Sequence, residues 1–229
     1  MSIADNLRRV RERIARAAES AGRRPAEIML VGVTKYVGQR EASELAAAGC
    51  ADLGESRPQE LWSKAAALPE AHWHLVGHLQ RNKVRRTLPL VSLIHSVDSE
   101  RLLAAIDEAR ANEGDKLPPI NVLLEVNTSG EEAKHGLPPD KVEPLLAAAS
   151  RYPHVAVCGL MTMAALAGGP DVAARNFATL RELRDCLKPQ APDCVKLDDL
   201  SMGMSGDFEV AIREGATIVR IGSLLWEQN

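Results

Sequence analysis

Eight short apolar runs, rich in β-branched residues, alternate with helix-like stretches along this 229-residue chain, and few folds accept that order. The runs fall at 28–34, 50–53, 73–77, 90–96, 120–127, 155–161, 197–202 and 217–221. The helix-like stretches fall at 39–48, 58–67, 83–88, 100–112, 139–151, 172–187 and 207–214. An opening amphipathic helix over 1–22 precedes them, with Ile3, Leu7, Val10 and Ile14 on one face and Ser2 with Asp5 as a capping box. Strand-helix alternation argues for a parallel sheet, and eight strands is the number that closes into a (β/α)8 TIM-type barrel. After the eighth run too little chain remains for an eighth helix, so the opening helix is expected to cover part of the barrel in its place. An open doubly wound sheet is the alternative, although no G-x-G-x-x-G follows the first run.

Composition narrows the partners. Hydrophobic residues make up 45% and charged residues 26%, ordinary values for a globular chain, read here as a single domain over 1–229. A net charge of −3 gives no basic field to draw nucleic acid or an anionic membrane. No apolar stretch approaches the roughly 20 residues of a membrane helix, and the start lacks an apolar leader core, so a cytoplasmic location is expected. Cys50, Cys158, Cys186 and Cys194 show no C-x-x-C spacing. His72, His74 and His78 alternate on a strand-like run without an acidic or cysteine partner at ligand spacing, so no metal site is signalled.

The chemistry gathers at the strand ends. The run 28–34 ends beside Lys35, at the edge where α/β folds bind ligands, and a partly desolvated amine there can form a Schiff base. A strand-end lysine that simply reaches water is the competing reading. Leu200-Ser201-Met202-Gly203-Met204-Ser205-Gly206-Asp207 ends the seventh run and opens a helix, and Arg220-Ile221-Gly222-Ser223 ends the eighth. Turns of small residues offer backbone N–H groups to an anion, and phosphate sites in such barrels use the turns after strands seven and eight. Gly54-Glu55-Ser56, Gly77-His78-Leu79-Gln80, Asn127 and Met161-Thr162-Met163 are expected around the same mouth.

Val33-Thr34-Lys35, Gly54-Glu55-Ser56-Arg57-Pro58-Gln59-Glu60, the stretch from Trp73 to Lys83, Gly159-Leu160-Met161-Thr162-Met163, Leu200 to Ser205 and Val219 to Ser223 carry a resemblance over nearly the whole chain. The chain resembles the pyridoxal phosphate homeostasis proteins, relatives of the barrel domain of bacterial alanine racemases. The resemblance implies the racemase-type barrel (PLP fold type III) binding pyridoxal 5′-phosphate (PLP), with Lys35 as internal aldimine. It sets Arg220 against the pyridine nitrogen, Ser205, Gly222 and Ser223 on the phosphate, Ser201 as a further contributor, and Met202 close to the cofactor. Ser56 stands where that family commonly has Asn, and the terminal Leu225-Trp226-Glu227-Gln228 departs from the family's usual tail.

The function implied is storage or delivery of PLP in vitamin B6 balance, with PLP-requiring apoenzymes as recipients and no robust catalysis; a monomer is expected, because no apolar helix face stands out beyond what the barrel needs. The alternatives are an amino-acid racemase or related PLP enzyme, a class I aldolase acting through its Schiff-base lysine, and a scaffold without ligand. A racemase needs proton carriers on both faces of its substrate. Of the two tyrosines, Tyr36 is expected to point away from Lys35 if the chain there stays extended, and Tyr152 to lie toward the opposite end of the barrel.

Overall fold

The computed structural model describes residues 2–114, 117–131 and 133–227. Eight parallel strands close into a barrel in chain order: β1 (Met29–Val33), β2 (Asp52–Glu55), β3 (His72–Leu75), β4 (Leu93–Val97), β5 (Ile120–Glu125), β6 (Val155–Met161), β7 (Val195–Ser201) and β8 (Ile218–Ile221), with β8 pairing back onto β1. The helices are α1 (Ile3–Ser20), α2 (Gln39–Ala47), α3 (Pro58–Ala67), α4 (Val84–Thr87), α5 (Glu100–Ala111), α6 (Val142–Ala148), α7 (Gly169–Leu187), α8 (Phe208–Arg213) and α9 (Ser223–Trp226). The expected closed barrel is therefore present, and the open sheet is excluded.

Helix α1 takes the place of the missing eighth helix. Its Ser2–Asp5 capping box forms, and Leu7, Val10, Ile14, Ala17 and Ala18 are buried. Asn6 donates from Nδ2 to the carbonyls of Leu225 and Glu227, both at 3.1 Å, which ties the end of the chain to its beginning. Arg13 pairs with Glu209 at 2.9 Å and lies over the Phe208 ring, fastening α1 to α8.

Strand alternation sorts the core into two parts. Most buried residues fill the layer between strands and helices, whereas Val31, Leu93, Leu123, Met161 and Ile218 form a separate cluster from five strands inside the barrel. Beside it the barrel carries polar side chains that project from β2, β3, β4, β7 and β8. Among the described residues no helix is long and apolar enough to cross a membrane, and all four cysteines are free.

One charged pair sits in the strand-helix layer. Glu55 at the end of β2 is fully buried and bonded to Lys64 of α3, itself almost wholly buried. Lys64 also donates to the Thr34 carbonyl at 2.8 Å, the Thr34 hydroxyl donates to Glu55 at 2.8 Å, and the Ser56 N–H donates to the other Glu55 oxygen at 3.1 Å. Removing one partner strands an uncompensated buried charge. Lys64→Met is therefore expected to lower the unfolding free energy by about 3–5 kcal/mol in urea titration; a loss below about 1 kcal/mol contradicts this role.

Candidate functional site

The carboxyl ends of the strands meet around one cavity of about 430 Å3, lined by Lys35, Ser56, Arg220, Ser205, Gly222 and Ser223 together with Val33, Tyr36, Val76, Gly77, Met163, Met204 and Gly206. The Glu55 bonds to Thr34 and to the Ser56 N–H fix the backbone on both sides of this opening, immediately before Lys35 and at Ser56. Gly77 narrows it: a Cβ there would lie 2.2 Å from the Ser56 carbonyl, so only glycine lets the end of β3 approach β2 this closely.

Lys35 occupies the expected place, but its side chain is exposed rather than partly buried. The chain also leaves the extended conformation earlier than expected. Thr34 ends the run, Val37 N–H bonds back to its carbonyl at 3.1 Å, and residues 35–36 form a turn. Tyr36 therefore does not point away: its ring centroid lies 4.8 Å from Lys35 Nζ, although the ring is 81% exposed. Tyr152 lies outside the cavity, just before β6, its hydroxyl donating to Glu100 at the start of α5 at 2.8 Å.

Arg220, on β8 next to β1, supplies the adjoining wall. It is buried, and it donates to the Ser201 hydroxyl at 2.7 Å and to the Thr162 carbonyl at 3.0 Å, two of its five N–H groups. Burial pushes its pKa down to about 10, which still leaves a cation at neutral pH. Behind Ser201 runs a chain of contacts through the barrel: Ser201 Oγ to His95 Nδ1 at 2.8 Å, His95 Nε2 to His74 Nδ1 at 2.9 Å, and His74 Nε2 to Asp52 at 3.2 Å. Arginine can only donate, so the single Ser201 hydrogen goes to His95. With both imidazoles neutral, every later hydrogen then points toward the Asp52 carboxylate, an assignment from bonding partners rather than from seen protons. Burial holds the His95 pKa well below its ordinary value, reinforced by the charge of Arg220, and the His74 bond lowers that of Asp52.

The Gly/Ser turns converge as expected. The Gly222 N–H donates to Ser205 Oγ at 3.2 Å, and the N–H groups of Ser205, Gly206 and Ser223 have no acceptor among the described residues. Ser205 and Gly206 precede α8 rather than belong to it, and Ser223 opens α9. At the start of α8, Asp207 and Phe208 N–H bond the Met204 carbonyl while Met204 N–H donates to Asp207 Oδ1 at 2.6 Å.

Not every expected residue reaches the cavity. Met202 is fully buried in the strand-helix core, and Met163 and Met204 border the cavity instead. Ser201 acts through Arg220. Glu55 faces Lys64, and the Asn127 side chain holds its own loop through Ser129, Gly130 and Glu131. His95, Asp52 and Asp98 escaped sequence reasoning, since their partners are remote along the chain.

Glu125, two residues beyond inward-facing Leu123, is 3% exposed at the same end of the barrel. Burial, helped by the nearby Asp98 charge, raises its pKa from the ordinary 4.5 to about 7. A carboxyl raised in the folded state contributes stability that is full below about pH 4.5 and lost as pH rises through about 7. Glu125→Gln is accordingly expected to stabilise the protein by up to about 3 kcal/mol near pH 8 and by little near pH 4, measured by urea unfolding. A gain independent of pH contradicts this.

Comparison with known proteins agrees with this geometry. Residues 5–229 match the family described as alanine racemase, N-terminal domain. The chain is 42% identical over 228 residues to the pyridoxal phosphate homeostasis protein of Aquifex aeolicus, covering 99% of this chain and 98% of that one. It is similar to the solved structure of PipY of Synechococcus elongatus PCC7942 with PLP bound, at TM-score 0.86 and 32% identity, covering 99% of this chain and all of that one. An alanine racemase of Clostridium difficile 630 shares the fold alone, at TM-score 0.76 and 16% identity, covering 98% of this chain and 57% of the racemase. The motif-by-motif resemblance thus extends to full-length identity with relatives of the same size, and the chain belongs to the pyridoxal phosphate homeostasis protein family, built on the alanine racemase N-terminal barrel.

Proposed function

We propose that this protein binds pyridoxal 5′-phosphate at the barrel mouth, covalently through Lys35, and holds it for buffering or delivery to PLP-requiring apoenzymes. A monomeric, cytoplasmic, single-domain carrier without robust turnover is part of the same reading. The observation that carries it is the grouping in one cavity of an exposed lysine amine, a buried arginine cation and three unpaired backbone N–H groups. The PLP-bound PipY supports the choice of cofactor.

The residues present fit the group. Bound there, PLP supplies an aldehyde that an amine condenses with, releasing water. Lys35 Nζ is the amine. Ser205, Gly206 and Ser223 N–H, with the Ser205 and Ser223 hydroxyls, suit a phosphate at the wall farthest from strands β3 to β5. Ser56 lies on the rim as a hydroxyl where relatives commonly use an amide. Arg220, still cationic, disfavours a second positive charge on a ring nitrogen set against it, which weakens the electron withdrawal that amino-acid turnover depends on. The chain from Ser201 to Asp52 keeps that guanidinium in place. Exposure of Lys35 suits a carrier, because a recipient's amine can reach the same bond.

Borohydride reduction of the PLP-treated protein followed by peptide mapping should label Lys35. Lys35→Ala should abolish the label while leaving unfolding within about 0.5 kcal/mol of wild type, as for an exposed side chain. A label on another lysine, or none, rejects the reading. Arg220→Lys keeps the charge but loses the paired bonds, and should weaken PLP binding by about tenfold or more with a shifted absorption band. An unchanged band and affinity rule out an arginine contact with the ring.

A further inference from the structure

His78 follows β3, Asp98 follows β4 and His135 lies on the loop after β5. One donor atom from each comes within 4.8 Å of the others. His78 Nδ1 is 3.4 Å from Asp98 Oδ2, and the His78 and His135 rings stack with centroids 4.6 Å apart at 15°. No motif spacing announces this group, because its members are brought together by three successive strand ends.

We propose that His78, Asp98 and His135 bind one divalent transition-metal ion at the barrel mouth. Two imidazoles and one carboxylate suit Zn2+, Co2+, Ni2+ or Cu2+ better than the oxygen-seeking Ca2+ or Mg2+. The backbone around the donors is held. The Ser96 hydroxyl donates to the Gly77 carbonyl at 2.6 Å, fixing the residue before His78, and the Ser99 hydroxyl donates to Asp98 Oδ1 at 3.2 Å, leaving Oδ2 for the site. The Leu137 N–H bonds the Glu125 carbonyl at 2.7 Å and presses the His135 loop against β5. Gly136 between them has φ +111, and a Cβ there would meet Asn127 N at 2.9 Å.

A second observation points to a ligand at this place. Glu125 is 3% exposed, lies against Gly136 and follows Leu124, the register partner of the Val97 that precedes Asp98. A divalent cation at the neighbouring site adds to Arg220 in offsetting the carboxylates at the ends of these two adjacent strands. Metal bonds of about 2.0–2.2 Å need donors closer together than they now stand, so the exposed His135 ring leaves the stack when the ion enters. Three protein donors leave an open coordination position for water or a small amine or carboxylate ligand, next to Gly77 on the wall of the main cavity.

The test uses Co2+ as probe and is independent of the cofactor reading, since metal uptake is read with and without added PLP. Wild type should take up one saturating Co2+ per chain, with the visible absorption of a four- or five-coordinate site. His135→Ala and Asp98→Asn should each weaken uptake by at least about tenfold. His72→Ala, which removes the exposed imidazole beside Asp52 at the opposite end, should leave it unchanged. No saturable uptake in wild type, undiminished uptake in His135→Ala, or loss in His72→Ala overturns the proposal.

Discussion

The buried Glu55 carboxylate governs the geometry of this protein's mouth. A buried ion pair is tolerable only where further hydrogen bonds occupy the remaining lone pairs and protons. Here the Thr34 hydroxyl, the Ser56 N–H and the Thr34 carbonyl meet those needs around Glu55 and Lys64. One charge thereby joins the ends of β1 and β2 to α3. Lys35 begins where that clamp ends, so an exposed and adaptable amine stands on a fixed base.

The adjoining strand β8 solves a different problem, that of keeping a guanidinium inside a barrel. Arg220 spends one donor on a carbonyl and one on a hydroxyl, and the hydroxyl passes its hydrogen through two imidazoles to Asp52. Asp52 closes that polar wire at its far end, while the carboxylates whose charges act on the arginine are Glu125 and Asp207. The cavity side of Arg220 is left free for a ligand while the barrel retains a charge balance. Fixed donors of this kind need little rearrangement on binding, which favours holding a ligand over reshaping it.

Much of this was legible in the sequence, and the failures share a cause. The alternation of apolar runs and helical stretches gave the barrel, and the excess of one strand over the following helices pointed to α1 as the cover. Lys35 and the Gly/Ser turns at 201–206 and 220–223 were visible because backbone chemistry at strand ends follows from local sequence. Glu55 belongs to a stretch expected at the mouth, yet strand parity turns it outward to Lys64. Tyr36 points away from Lys35 only where the chain stays extended, and the chain turns after Thr34 and brings its ring to the Lys35 amine. His95 meets Ser201 across 106 positions and His74 across 21, and the His78, Asp98 and His135 group depends on three strand ends arriving together. Such contacts belong to barrel closure and leave no periodic trace.

The central claim is that Lys35, Arg220 and the Ser205–Gly206–Ser223 donors serve one ligand. A crystal structure of the protein with PLP tests it most directly. The account predicts continuous density from Lys35 Nζ, the phosphate on the N–H groups of Ser205, Gly206 and Ser223, and the ring nitrogen facing Arg220. A phosphate seated elsewhere, or a bond from another lysine, contradicts it.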